Sequence, residues 1–261
     1  MGKPRILYDN KLIGETITAS SEATGYPKEN LLTWREYELW KGDPGNSHTI
    51  EFEFAASAGE SFNCLGIAGH NLFTCGARIK LEGCNNPDDS APTWTNIVSY
   101  FYPGTDFALA EFFNSINYLA GKLTIDNNGG SNFEPYMGIF FVGNYLEIEN
   151  NPDPEGLDED AIEDITTKQI SESGHLLGNT LDYSMRKTSW KFSHLTPSWF
   201  KGTWLLFRTV HRNKPFIWVW DYESFGDEVY LMQFEGKKHS APRKNVLYRT
   251  LNFNLVGLLE E

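Results

Sequence analysis

The side chains that could do chemistry in this chain are six histidines, three cysteines, a large surplus of carboxylates and a tight set of aromatics at Trp34, Tyr37 and Trp40. Acid–base or nucleophilic work needs a histidine held against a Ser or Cys nucleophile. Yet His48, His70, His175, His194, His211 and His239 all lie outside any such motif. A Gly-x-Ser-x-Gly elbow, a His-Glu-x-x-His pair and a phosphate-binding glycine loop are absent. Cys64, Cys75 and Cys84 are odd in number and lack Cys-x-x-Cys spacing, so they read as small buried hydrophobes. Two carboxylates a few ångströms apart could hydrolyse a glycoside, and such a pair can come from any two points of the chain. For Asp221, Glu223, Asp227 and Glu228, however, the preferred reading is a solvated turn between strands. The expectation is a non-enzymatic chain with no catalytic residue and no cofactor.

Asn151, Asp153, Glu155 and Gly156 follow the first positions of a calcium loop. The bidentate Glu required at the twelfth position is replaced by Ile162. No metal is expected.

Charge narrows the partners. At a net −13 the chain lacks the basic surface that draws phosphates, so a nucleic-acid partner is not expected. Residues 1–164 hold 9 Lys/Arg and 26 Asp/Glu, net −17, whereas residues 165–261 hold 13 and 9, net +4. This asymmetry is either a solvated acidic surface or head-to-tail contact between copies of opposite potential. The start, Met1-Gly-Lys-Pro-Arg-Ile-Leu-Tyr, carries no apolar run of signal-peptide length, and no window has the length of a membrane span. The expectation is a soluble product made in the cytoplasm.

The elements that must position these residues are strands. Ile50, Phe52 and Phe54 alternate with Thr49, Glu51 and Glu53, the period of a half-buried strand. Ala77, Ile79 and Leu81 repeat the pattern, as do Leu123 and Ile125, and turns fall at 83–87, 103–104 and 127–131. Short strands at this spacing describe a sandwich or jelly roll. From Glu147 to Asp164 nine acidic residues occur with no basic one and with Pro152, Pro154 and Gly156 among them, the composition of a linker. Beyond it, a strand around 187–195 has Trp190 and Phe192 on one face. Thr196-Pro197-Ser198 opens a helix in which Trp199, Phe200, Trp204, Phe207 and Val210 recur every three to four residues, and strands follow at 214–221, 229–234 and 247–255. The fold class is therefore mainly all-β. A jelly-roll sandwich is expected over 1–148, an acidic linker over 149–168 and a β-rich domain with one short helix over 169–261.

The opening Ala19-Ser-Ser-Glu-Ala-Thr-Gly-Tyr26-Pro-Lys-Glu-Asn30-Leu31, the strand end His70-Asn71-Leu72, Trp94-Thr95 and the segment Tyr136-Met-Gly-Ile-Phe-Phe-Val-Gly143 together resemble the galactose-binding-like modules of the discoidin type. The likeness covers about residues 15–148. It implies a jelly roll whose loops at one end bind sugars, lipids or proteins. Trp34, Tyr37 and Trp40 occupy one such loop, either as a platform for host glycans or packed beneath it. The second half, with its Trp190-x-Phe192 strand, short helix and Lys214-Pro-Phe-Ile-Trp218 strand, resembles the distal tail or tail-tip proteins of tailed bacteriophages. Many of those carry the domains in the opposite order. The resemblance implies a structural virion protein at the tail end, a ring of identical copies (a hexamer in the family) that joins the tail tube to hub or fibre proteins. Trp199, Phe200, Trp204, Trp218 and Trp220 are then either subunit contacts or core.

Overall fold

A computed structural model describes residues 2–153, 162–173, 175–236 and 247–258. Its strands in chain order are β1 (Arg5–Asn10), β2 (Thr16–Ala19), β3 (Trp40–Lys41), β4 (Ser47–Glu53), β5 (Glu60–His70), β6 (Arg78–Cys84), β7 (Thr95–Phe101), β8 (Leu109–Tyr118), β9 (Ala120–Asp126) and β10 (Tyr136–Glu147). They continue with β11 (Ile162–Ile170), β12 (Leu176–Leu195), β13 (Phe216–Val219), β14 (Val229–Phe234) and β15 (Arg249–Leu258). The chain is mainly β, as its alternating patterns predict.

Two compact units divide it. The larger comprises Arg5–Glu147 together with Phe216–Tyr230; the smaller takes Met1–Pro4, Ile148–Pro215 and Leu231–Glu261. Residues 216–230, read from sequence as part of the second domain, thus belong with the first. Nor is the acidic stretch a linker to its end, because Ile162–Ile170 is a strand.

The larger unit is a sandwich. One sheet runs β13-β1-β10-β5-β8, with β3 paired to β10, and the facing sheet runs β2-β4-β9-β6-β7. Period two decides which side chains meet. Ile50 and Phe52 from β4, Ile79 and Leu81 from β6, and Leu123 and Ile125 from β9 point inward against Phe62, Leu65, Ile67, Phe140 and Val142. The polar partners Thr49, Glu51 and Glu53 take the other face of β4.

Strands β5 and β10 break the alternation. Residues 64–68 and 137–143 are buried on both parities, the pattern of a central strand covered on two sides. The second side of β5 is covered by Leu7 and by Ile217 of β13. A Cβ on Gly66 would stand 2.7 Å from Ile217 Cδ1 and 2.8 Å from Leu7 Cδ2, so glycine permits that approach.

In the smaller unit the sheet runs β11-β12-β15-β14. The helix begins where Thr196 Oγ1 accepts a hydrogen bond from Trp199 N at 3.3 Å and Pro197 takes the first position. Its middle, Phe200–Trp204, is a π turn, and Leu205–Val210 completes it as α-helix. That turn sets Trp204 against Phe253, Phe207 and Phe234 at centroid distances of 5.2, 5.3 and 5.9 Å.

The aromatics proposed for subunit contact are mostly core. Phe200, Trp204, Trp218 and Trp220 are buried, and Trp199 is half-buried. A helix this short can cover a sheet only by spending its large rings on that sheet. What it leaves outside is Leu205, Leu206 and Val210. No helix of the described residues is long and apolar enough to cross a membrane.

Candidate ligand-binding loops

Strand register sorts the loops of the sandwich by end. Tyr136 opposes Lys41, Met137 opposes His70, Ile67 opposes Leu109, and Asp126 opposes both Ser47 and Arg78. The segments 20–39, 42–46, 71–77, 102–108 and 127–135 therefore emerge at one end. Segments 11–15, 54–59 and 85–94 emerge at the other, where Asn10 opposes Gly143, Thr16 opposes Glu53 and Gly83 opposes Thr95.

The two ends differ in what they expose. Tyr26, Tyr37, Phe73, Tyr102 and Phe107 are the large exposed apolar side chains on the first set of loops, and Ile13 alone among the described residues holds that place on the second. Tyr37 is 75 % exposed and Phe73 55 %. A folded chain scatters single apolar residues over its surface, but here five fall on the loops of one end.

These loops are cross-braced. Asn71 Nδ2 donates to the Glu134 carbonyl at 3.1 Å, and its Oδ1 accepts from Tyr136 N at 2.8 Å, so one amide ties 71–77 to 127–135. The Asp106 carboxylate accepts from Phe73 N at 2.8 Å and Thr74 N at 3.2 Å and also takes the Thr74 hydroxyl, which ties 102–108 to 71–77. Gly69 and Gly138 lie against the Glu36 backbone; a Cβ on Gly69 would stand 2.9 Å from the Glu36 carbonyl oxygen, and one on Gly138 still nearer. The Tyr37 loop rests on strands that no larger residue would leave open.

His70 ends β5 beneath this bracing. Its Nδ1 accepts from Leu72 N at 3.3 Å and stands 3.8 Å from Asp106. Burial dominates over that carboxylate and holds its pKa down to about 4, so the ring is a neutral acceptor. His48 is similar: Ser21 Oγ lies 3.2 Å from its Nδ1, Trp40 and Phe133 meet its ring edge to face, and burial lowers its pKa. The Ser21 hydroxyl beside His48 also accepts from Asp43 N at 3.2 Å, which ties it to the 42–46 loop.

Of the three aromatics proposed to contact glycan, only Tyr37 is available. Trp40 is fully buried and donates its Nε1–H to the Ser21 carbonyl at 3.2 Å. Trp34 is buried edge-on against Phe141 at 5.8 Å, with a left-handed backbone of φ 60°. An indole offers too much apolar area to leave in water when a loop base can cover it. Phe73, Tyr102, Asp106 and Phe107 escaped the sequence reading. Their signal was an aromatic inside a turn, in Asn71-Leu-Phe-Thr-Cys-Gly76 and Tyr102-Pro-Gly-Thr-Asp-Phe107.

All three cysteines are free. Cys64 Sγ–H donates to the Gly143 carbonyl at 3.2 Å, and burial pushes its thiol far above the ordinary range, away from the reactive thiolate. No three His, Cys, Asp or Glu of the described residues are grouped to hold a metal. Asp153 accepts from Ser193 Oγ at 2.6 Å and pairs with Lys191 at 3.4 Å, while Glu155 and Gly156 of the supposed calcium loop lie outside the described residues.

The turn after β13 follows its sequence reading at Glu223 and Asp227, which are exposed, and departs from it at Asp221. Asp221 is buried, not solvated: its Oδ1 accepts from Ser224 N at 3.1 Å and its carbonyl from Phe225 N at 2.9 Å, so it closes the turn from inside. Glu228 takes the indole N–H of Trp220.

No family model matches the chain, and no curated protein matches it at a significant level. Among solved structures it is similar to chitosan-binding module 1 of a Paenibacillus chitosanase/glucanase at 16 % identity and TM-score 0.43, over 52 % of this chain and 98 % of that one. It is similar to a carbohydrate-binding module of Clostridium perfringens solved with GalNAc-β-1,3-galactose, at 14 % identity and TM-score 0.42, over 52 % and 99 %. A Ruminococcus gnavus GH29 fucosidase solved with fucose gives 17 % identity and TM-score 0.43 over 54 % of this chain but only 27 % of that one. At these scores none of the three bears on what this chain binds.

Proposed function

We propose that the larger unit is a non-catalytic carbohydrate-binding module and that glycan docks on the loop end carrying Tyr37, Phe73 and Phe107. The observation that carries this reading is the one-sided gathering of exposed aromatics on loops braced by Asn71 and Asp106. A pyranose presents an apolar C–H face and a polar hydroxyl rim, which suits rings that are apolar on the face beside carboxylate, amide and backbone groups. Bracing matters to affinity, because loops already held in place lose little further entropy on binding.

Titration of the chain with a panel of bacterial surface and plant cell-wall oligosaccharides tests the reading. Tyr37→Ala and Phe73→Ala should each weaken the best ligand at least about ten-fold, roughly 1.4 kcal/mol, with an unchanged melting temperature, and Ile13→Ala at the far end should bind normally. Absence of binding across the panel, or full affinity in both aromatic variants, would overturn it.

A second reading, a structural component of a virus tail end built from repeated copies, is favoured by the smaller unit. Among the described residues, the pairing of β12 with β15 begins at Met185 and residues 176–184 pair with β11, a ribbon that exposes Ile162, Leu181 and Tyr183. A lone ribbon is marginally stable in water and gains from a third layer, which the next copy would supply. Light scattering of the purified chain should then show a closed oligomer that Leu181→Asp dissociates. A monomer that also fails to join purified virions would end this reading.

A further inference from the structure

Beside the 102–108 turn the larger unit holds a cleft of about 260 Å³. The end of β7 and the turn after it (Phe101–Thr105) form one wall, the start of β8 (Ala108–Glu111) another, and Gly226, Asp227 and Val229 close the third side. All of these residues belong to the same compact unit.

Two features of the lining are informative. The first is Glu111, which projects from a strand with apolar Leu109 and Ala110 before it. Its carboxylate has no hydrogen-bond or ion-pair partner among the described residues, and burial alone raises its pKa. A half-buried acid without a cation beside it is a cost to the fold and is often repaid by a ligand or a function. The second is the rim, where Tyr102 offers an exposed ring and Asp227 an exposed carboxylate. A cation entering here would find Glu111, Asp227 and the Tyr102 ring in the lining, and each of the three attracts positive charge.

We propose that this cleft binds an organic ammonium ion borne on a single sugar-sized ring, that is, an amino sugar with a free amine. Its volume falls below the range of drug-sized sites and suits one ring. Tyr102 can stack on that ring while Glu111 takes the ammonium as a charge-assisted hydrogen bond. The site uses none of Tyr37, Phe73 or Phe107, so it stands or falls independently of glycan docking on the loop end.

The test is an NMR titration with D-glucosamine, N-acetylglucosamine and glucose. Glucosamine should shift the amide signals of 101–111 and 226–229, while N-acetylglucosamine and glucose, which share the ring without the charge, should leave them still. Glu111→Gln should weaken glucosamine at least ten-fold and retain a cooperative melt; Tyr37→Ala should bind it as before. Affinity should also fall on acidification as Glu111 takes up its proton. Equal shifts with N-acetylglucosamine, shifts elsewhere only, no shifts at all, or full affinity in a folded Glu111→Gln chain would each overturn the proposal.

Discussion

His70 shows how a single buried side chain can look catalytic and serve the fold instead. Its neutral ring accepts a backbone hydrogen bond and packs under the loops, and its pKa near 4 lies well below the ordinary 6.5. The unfolded chain therefore binds this proton first. Stability held at neutral pH is lost as pH falls through the window from about 6.5 to about 4, by roughly 3 kcal/mol at the full shift. Chemical unfolding at pH 7 and pH 4.5 should show that loss, and a folded His70→Gln variant should lose less between the two. Glu111 has the opposite sign. Its raised pKa means the folded state holds its proton longer than the unfolded one, so its ionisation subtracts stability as pH rises past the ordinary carboxylate range. Glu111→Gln should raise the melting temperature at pH 7 and leave it nearly unchanged at pH 4.

At the scale of elements, legibility tracked the locality of the signal. Strands β4, β6 and β9 were readable because Ile50-Glu51-Phe52-Glu53 and its counterparts carry a period of two within a few residues. The helix start was readable from Thr196-Pro197 for the same reason. The pairing of Phe216-Ile-Trp-Val219 with Arg5-Ile-Leu7 was not, since a run buried on both parities fits any central strand and names no partner. Trp34 and Trp40 failed for a related reason: an aromatic in a loop reads alike whether it caps the core or faces solvent, and only Tyr37 proved exposed. Loop placement itself has a testable support in Gly138, where any Cβ would collide with the Glu36 backbone. Gly138→Ala should cost about 1–3 kcal/mol in denaturant titration, and it should weaken glycan binding by displacing the Tyr37 loop.

For the whole molecule, the consequence of β13 is that the sandwich is not contained in one stretch of sequence. A chain of residues 5–147 spans nearly all of the region that resembles a galactose-binding-like module, yet it lacks Ile217 over Gly66 and Leu7. Such a fragment should melt without a cooperative transition by calorimetry, whereas the full chain melts sharply; a sharp melt of the fragment would show β13 to be dispensable. The acidic first part and mildly basic remainder were legible in the composition, but composition says nothing of which segments fold together. The central claim, that one end of the sandwich is built to hold carbohydrate, is tested most directly by residue-resolved NMR with the best oligosaccharide from the panel. The account predicts shifts confined to 20–46, 71–77, 102–108 and 127–135, with Tyr37 and Phe73 foremost; shifts centred on 11–15, 54–59 and 85–94 would contradict it.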